Sequence, residues 1–283
     1  GQTSNLAPAD KKLYSIRDIV GTVESLPLIT SSILSKKIAS GLSSLVLDVK
    51  VGNGSFNSTI DIARDLSNSL VRVAKGAGLH CEAILTDMNQ VLGKSAGHTL
   101  EILECIKYIK NDFKDHRLEK ITNELISSLL VNIYKISKEE AYNKINTVIN
   151  NGLAAEKFEM MVAALGGPKN ILSSYEKDLI NTSVRKDVFS SEQGWIEKIH
   201  TRELGLILIE LGGGRKQVTD KIDYGVGYDN VLNIGDEVNS STPLLSLYSN
   251  KNIDDNLKNK IKACFIISDK KTQKLSEIFE TIN

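Results

Sequence analysis

Four polar side chains early in the sequence have the types and the spacing to bind a flat, neutral ring. Tyr14 and Arg17 are separated by about one helical turn, and so are Ser32 and Lys36. An arginine offers a planar fork of donors, a lysine a charged donor, and a serine hydroxyl both donates and accepts. Such a set suits a ring with two carbonyl oxygens and an imide N–H, as in a pyrimidine base. Solvated charges on a helix surface are the alternative interpretation of this spacing.

The chemistry available to such a set is stabilisation of a leaving group. When the bond to N1 of a pyrimidine breaks, negative charge develops on the carbonyl oxygens of the ring. Cationic donors aimed at these oxygens bind the transition state more tightly than the ground state. The pattern therefore favours transfer chemistry at a nucleoside, provided that the chain brings the four side chains together.

Two helices are predicted to position these side chains. The first spans about 15–23, and the second begins after Ser25, has Pro27 near its start and ends near Ser40. The second helix places four residues on one face at the i, i+3, i+4, i+7 spacing: Ile29, Ser32, Ile33 and Lys36.

The next segments predict an α/β architecture. The apolar run 45–51 is typical of a buried parallel strand, and it is followed by the glycine-rich turn GNGSF, a helix over 60–75 and a second strand over 80–86. Further helices are predicted at 99–110, 121–134, 138–150 and 154–165. The remainder reads as a β-rich unit with a closing helix and strand within 251–265.

This pattern predicts three parts. Residues 1–40 belong to a helical domain, residues 41–170 form an α/β domain with a mixed or parallel sheet and flanking helices, and residues 171–283 form an α+β domain. The break at Gly166, Gly167 and Pro168 marks the second boundary.

Composition argues against several classes of function. Lys plus Arg and Asp plus Glu both number 35, so a zero net charge predicts neither a nucleic acid nor an anionic membrane as partner. The 3 cysteines form no CxxC pair and the 4 histidines show no metal-ligand spacing, so we predict no metal and no cofactor. No apolar run approaches the length of a membrane span and no signal peptide is recognised, which favours a reduced, cytoplasmic protein.

Long motifs resemble the pyrimidine-nucleoside phosphorylase family. They run in order from LYSIRDIVGTVESLPLITSSILSKK through LVLDVKVGNGSF, LTDMNQVLG and NGLAAEKFEMMVAALGGP to LGGGRKQVTDKIDYGVG and IGDEV. Members of that family convert a pyrimidine deoxynucleoside, such as thymidine, and inorganic phosphate to free base and 2-deoxyribose 1-phosphate. Their fold is a helical domain facing an α/β domain across a cleft, and they are homodimers.

The resemblance assigns roles to five residues. It implies that Arg17, Ser32 and Lys36 are the catalytic set that holds the polar edge of the base. Tyr14 closes the base site, and Phe56 in the GNGSF loop packs against the base or a neighbouring wall. The co-substrate is inorganic phosphate, with no cofactor.

The sequence departs from the family on the phosphate side. The family's K-x-S-x-G-G-x-G-D loop, its S-x-R-G-L-x-x-T-G-G-T signature and its active-site histidine do not occur here. The sequence opens at Gly1 without an initiator Met, so we expect the missing motifs to lie upstream or on a second chain. The alternative is a non-catalytic fragment or degenerate homologue that binds a pyrimidine or assembles with a partner chain.

Three smaller features leave alternatives open. The GNGSF loop and the loop from Gly212 to Arg215 are either anion-binding turns or plain turns. The pair Asp48 and Lys50 is better explained as an ion pair that shapes the cleft than as catalytic. By resemblance, Leu92, Ser95 and Glu104 would form half of a monovalent-cation site, and we assign no metal to it.

Overall fold

The computed structural model describes residues 7–10, 12–13, 25–179, 184–217 and 219–283. The helices with named bounds in this part of the chain are α1 Leu26–Ala39, α2 Ile60–Gly76, α3 His98–Ile109, α4 His116–Tyr134, α5 Lys138–Asn150, α6 Leu153–Ala164, α7 Ile171–Leu179, α8 Thr201–Leu211 and α9 Asp255–Lys262. The strands are β1 Ser44–Val51, β2 His80–Asp87, β3 Val184–Phe189, β4 Gly194–Ile199, β5 Gly227–Asp229, β6 Glu237–Val238, β7 Pro243–Ser249, β8 Phe265–Ser268 and β9 Ile278–Ile282.

A mixed sheet of order β1-β2-β9 organises the α/β part. Strands β1 and β2 are parallel and in register from the pair Ser44–His80 to the pair Val51–Asp87, so both strands end at the same edge of the sheet. The connection between them is α2, as expected for a parallel crossover. Strand β9 adds to the other side of β2 in antiparallel orientation.

The core of this part explains why helix α1 lies against the sheet. Leu34 of α1 is buried in one cluster with Leu45 and Val49 of β1 and with Leu70 of α2. The Oγ1 atom of Thr30 also lies 2.9 Å from the Oγ atom of Ser69 on α2. Both apolar packing and a polar contact join α1 to α2. They therefore hold in place the helix that carries the candidate base-binding residues.

The C-terminal unit, residues 184–268, has two further three-stranded sheets. Their orders are β3-β7-β5 and β6-β4-β8, with all of their pairs antiparallel. Helix α8 lies against them, and its buried Leu204 belongs to the same core cluster as Tyr228, which is 0% exposed. The predicted α/β body and α+β tail are confirmed as a fold class.

Three elements were not predicted from the sequence: α7, β3 and β9. Their segments are short, and β9 is completed by pairing with the distant strand β2. Helix α8 begins at Thr201 and ends at Leu211. Within the described ranges, no helix has both the length and the apolar character needed to cross a membrane.

Candidate functional site

A cavity of about 640 Å³ lies where α1, β1, α2 and the GNGSF loop meet. This volume is within the range usual for small-molecule sites. Apolar side chains form most of the wall: Leu26, Ile29, Ile33, Leu47, Val49, Phe56, Ile62, Leu66 and Leu70. Polar groups are fewer: Ser32, Asp48, Lys50, Ser55, Asn57 and Asp65. A mostly apolar cavity with a few polar groups suits a flat ring that has a polar edge.

Ser32 and Lys36 are brought together on α1, as their spacing predicts. The Lys36 ammonium donates to the Ser32 hydroxyl at 3.0 Å and also to the Ser32 carbonyl. A serine oxygen that accepts from a lysine still has its own hydrogen to donate. The buried Ser32 therefore presents a donor at the cavity wall that the neighbouring cation polarises.

Asp10 is a partner of Lys36 that the sequence analysis did not identify. Its carboxylate lies 2.6 Å from the Lys36 ammonium, and both side chains are largely buried. The pair joins α1 to the described residues 8–10, and sequence spacing contains no signal for a contact across this distance. Tyr14 and Arg17 lie outside the described residues, so their predicted roles stay predictions.

Phe56 is exposed to solvent beside the cavity. Its side chain is 74% exposed although it lines the cavity wall. An aromatic side chain gains roughly 1.5–3 kcal/mol on full burial, so a ligand that covers the ring is favoured. The structure thus places Ser32 and Phe56 on the wall of one cavity, with Lys36 in contact with Ser32.

The loop that carries Phe56 keeps its backbone amides occupied. Gly52 N donates to the Asn57 carbonyl, Gly54 N to the Met88 carbonyl and Ser55 N back to the Gly52 carbonyl, at 2.9–3.0 Å. A loop cradles an anion through free amides. These three N–H groups already have partners, so the turn interpretation of GNGSF is the better supported one.

Asp48 and Lys50 form the ion pair that the sequence suggested. Lys50 Nζ lies 2.7 Å from the Asp48 carboxylate and donates to Thr86 Oγ1 at 3.0 Å. The Thr86 hydroxyl in turn donates to the other oxygen of Asp48. This closed cycle fixes the lysine head on the cavity wall at the carboxyl end of β1.

The loop from Gly212 to Arg215 has a different environment. It follows the C-terminus of α8, where Gly212 N and Gly213 N donate to helix carbonyls. The Asp220 carboxylate then accepts from the amides of Lys216 and Gln217, both at 2.9 Å. Because a helix C-terminus carries negative partial charge and the Asp220 carboxylate lies against the amides just after the loop, this loop is poorly suited to an external anion.

Glu104 is enclosed by the loop before α3. Its carboxylate accepts from Lys94 N at 2.7 Å, from Ser95 N at 3.1 Å and from the Ser95 hydroxyl. Burial raises the pKa of Glu104, while these hydrogen bonds oppose the rise. Across the described residues, no group of three or more His, Cys, Asp or Glu side chains is arranged to hold a metal ion.

Comparison with known proteins gives two family matches along the chain. Residues 1–155 match the family described as "Glycosyl transferase family, a/b domain". Residues 195–268 match the family described as "Pyrimidine nucleoside phosphorylase C-terminal domain".

A curated relative gives a more specific likeness. Thymidine phosphorylase of Colwellia psychrerythraea is 48% identical over 249 residues, which cover 88% of this chain and 57% of that protein. The chain thus spans little more than half of the length of this relative. It belongs to the glycosyl transferase family of the a/b-domain type, and within it to the proteins that resemble thymidine phosphorylase.

Proposed function

We propose that this chain forms the base-binding side of a pyrimidine-nucleoside phosphorylase. The reaction is the phosphorolysis of thymidine and related pyrimidine deoxynucleosides to free base and 2-deoxyribose 1-phosphate. The observation that carries the proposal is the cavity between α1 and β1, which joins the Ser32 donor to the open ring of Phe56. The likeness to a curated thymidine phosphorylase supports the same substrate class.

In this proposal the cavity holds the pyrimidine and stabilises it as it leaves. A phosphate oxygen forms a bond to C1′ of the deoxyribose while the bond from C1′ to N1 of the base breaks. The electron pair moves onto the base, where the hydroxyl of Ser32, polarised by Lys36, and the predicted donor Arg17 stabilise the carbonyl oxygens. Tyr14 closes the base site, Phe56 packs against the ring, and water is excluded on closure.

The first test is binding of thymine, measured by isothermal titration calorimetry on the whole chain. Ser32→Ala removes the hydroxyl donor at the cavity wall, and a hydrogen bond to a ligand is worth about 0.5–1.5 kcal/mol, so affinity should fall roughly 2- to 10-fold. The matched control is Ser31→Ala, because Ser31 is exposed and its hydroxyl donates to the Leu28 carbonyl on its own helix. Equal losses in the two variants would contradict the assignment of the site.

Release of thymine from thymidine plus phosphate tests the reaction itself. Lys36→Met should lower turnover more than it lowers thymine affinity, because the charge acts most strongly on the departing base. Lys37→Met on the neighbouring position is the control. The proposed homodimer and a second chain that supplies the phosphate side are tested in parallel by measuring mass in solution with and without such a chain.

A second candidate function is pyrimidine binding without catalysis. The occupied amides of the GNGSF loop and the Asp220 carboxylate beside the loop after α8 favour it, since both features oppose phosphate binding at these loops. Thymine titrations with and without phosphate separate the two functions. An affinity that phosphate leaves unchanged, together with no release of base, favours the binding function, whereas phosphate-dependent release favours the enzyme.

A further inference from the structure

The side chain of Asn53 connects the loop of the base cavity to the C-terminal unit. Its Nδ2 atom donates to the Ile199 carbonyl at 3.0 Å, and its Oδ1 atom accepts from Thr201 N at 2.8 Å. Ile199 ends β4 and Thr201 begins α8. Since a carboxamide has distinct donor and acceptor ends, both ends of Asn53 are used on one short segment of that unit.

Asn89 holds Asn53 from the other side. Its Oδ1 atom accepts from Asn53 N at 3.1 Å and lies 3.3 Å from Asn53 Nδ2. Thr201 closes the arrangement, because its hydroxyl donates to the Asn89 carbonyl at 2.8 Å. We call Asn53, Asn89 and Thr201 the asparagine clasp.

The orientation of Asn89 is fixed by a buried ion pair. Its Nδ2 atom donates to Asp87 Oδ1 at 2.7 Å, and an ionised carboxylate can only accept, so the amide oxygen must face Asn53. Asp87 is 0% exposed and pairs with Arg117 of α4 at 3.1 Å. The same guanidinium donates to the Asp87 carbonyl at 2.6 Å, so the base of the clasp is held by both side chain and backbone.

The clasp fixes the position of the loop over residues 52–57 against Met88 and Thr201. Gly54 lies so close to its surroundings that a Cβ atom there would come within 2.7 Å of the Met88 carbonyl and 2.8 Å of Thr201 Cγ2. The hydrogen bond from Gly52 N to the Asn57 carbonyl closes the loop on itself at 3.0 Å. A closed loop that is held at its tip moves as one piece, and Phe56 moves with it.

We propose that Asn53 is a positioning residue through which the C-terminal unit sets the place of Phe56 in the base cavity. This inference rests on the proposed function, because it takes the cavity to be a pyrimidine site. It gives the C-terminal unit a role in ligand binding although, among the described residues, the cavity wall contains no side chain from that unit.

The test is a double-mutant cycle on thymine affinity. Asn53→Ala should weaken binding about 5-fold and Phe56→Ala about 10-fold, in line with the usual worth of an aromatic contact. If Asn53 acts through the ring of Phe56, the double variant should bind no more weakly than Phe56→Ala alone. Losses that multiply, to roughly 50-fold in the double variant, would overturn the proposal.

A matched control separates positioning from general loss of stability. Asn123 is likewise an asparagine with a side-chain hydrogen bond, from Tyr108 at 3.1 Å, and it is more buried than Asn53, but it lies on α4 and is not on the cavity wall. Asn123→Ala should lower the melting temperature and leave thymine affinity unchanged. If it weakens thymine binding as much as Asn53→Ala does, instability explains the effect and the proposal fails.

Amide hydrogen exchange makes the result independent of the proposed function. Asn53→Ala should speed exchange in residues 52–57 while leaving exchange in α5 unchanged. Unchanged exchange in residues 52–57 overturns the clasp even where thymine binds. Faster exchange in a chain that does not bind thymine supports the mechanical link and shows that the proposed function, and with it the role for Phe56, is wrong.

Discussion

The loops over residues 52–56 and 212–215 are both rich in glycine but differ in the groups that surround them. The loop from Gly52 to Phe56 follows the parallel strand β1, lines the cavity and is held by the asparagine clasp. The loop from Gly212 to Arg215 ends helix α8, and the amides of Lys216 and Gln217 just after it donate to the carboxylate of Asp220. Glycine content indicates that a turn is present, but the element before the turn and the groups that fill its amides decide what the turn can bind.

The largest expected difference between the loops is in how much the residues that support them contribute to the free energy of unfolding. Arg117→Met leaves Asp87 charged and buried without its partner, which should cost about 3–5 kcal/mol in the free energy of unfolding. Asp220→Ala removes the acceptor of the Lys216 and Gln217 amides and should cost about 1 kcal/mol. Urea denaturation measures both values. Equal costs would contradict the view that buried contacts hold the first loop whereas surface contacts hold the second.

Glycine-to-alanine changes sharpen the comparison at the loops themselves. Gly54→Ala forces a methyl group against the Met88 carbonyl and should cost about 1–3 kcal/mol through overpacking. It should also weaken thymine binding, because the loop that carries Phe56 is displaced from its packed position. At Gly212 the nearest atom to a new methyl group is 3.8 Å away, so only the strain of φ +105° remains, about 1–2 kcal/mol.

The outcome that would break this comparison is a loss of thymine affinity in Gly212→Ala. Calorimetric titration of the two variants at one temperature gives the affinities, and thermal unfolding gives the stabilities. A Gly54→Ala variant with normal affinity would show that the loop tolerates displacement without consequence for the cavity.

The smallest expected effect is on the pH dependence of stability, through Glu277, which bonds to Asp87 near the first loop. Glu277 accepts from Lys120 at 2.7 Å, and its backbone carbonyl accepts from Asp87 N at 3.0 Å. Burial opposes ionisation of Glu277, but the hydrogen bond from Lys120 and the charges of Lys120 and Arg117 together lower its pKa below the usual 4.5. A carboxyl with a lowered pKa in the folded state adds stability above its usual pKa and loses it as the pH falls through the folded value.

The free energy of unfolding should fall between neutral and strongly acidic pH, and in Lys120→Met this fall should be smaller. The change should be below about 1 kcal/mol, because Lys120 is half exposed and the pair is screened. Urea unfolding at a series of pH values measures it. Lys216→Met, beside the second loop, is the control, and an equal flattening of its pH profile would contradict a specific contribution from Glu277.

Much of the fold follows from local pattern. The helix predicted over 138–150 has these bounds in the structure, and β1 and β2 differ from prediction by one residue. The pair Ser32 and Lys36 was also identified from spacing, because side chains four residues apart on a helix are neighbours. Such features depend on residues near one another in sequence.

The missed features depend on contacts between distant residues. An asparagine in a glycine-rich loop is ordinary turn chemistry, so Asn53 and Asn89 carry no sign in the sequence that they pair with Thr201. Asp10 likewise gives no sign that it meets Lys36. Fold class was predictable from periodicity, whereas the arrangement that holds the candidate site required tertiary structure.

Strand β9 has a consequence for the kinetics of folding. It bonds to β2 only after the whole C-terminal unit has intervened, and the contact between Arg64 of α2 and Glu280 of β9 spans 216 residues. Closing a loop of that length carries a length-dependent entropy cost of roughly 5 kcal/mol at room temperature. Contacts of such large sequence separation form slowly, so the three-stranded sheet beside the cavity should be completed late on the folding pathway.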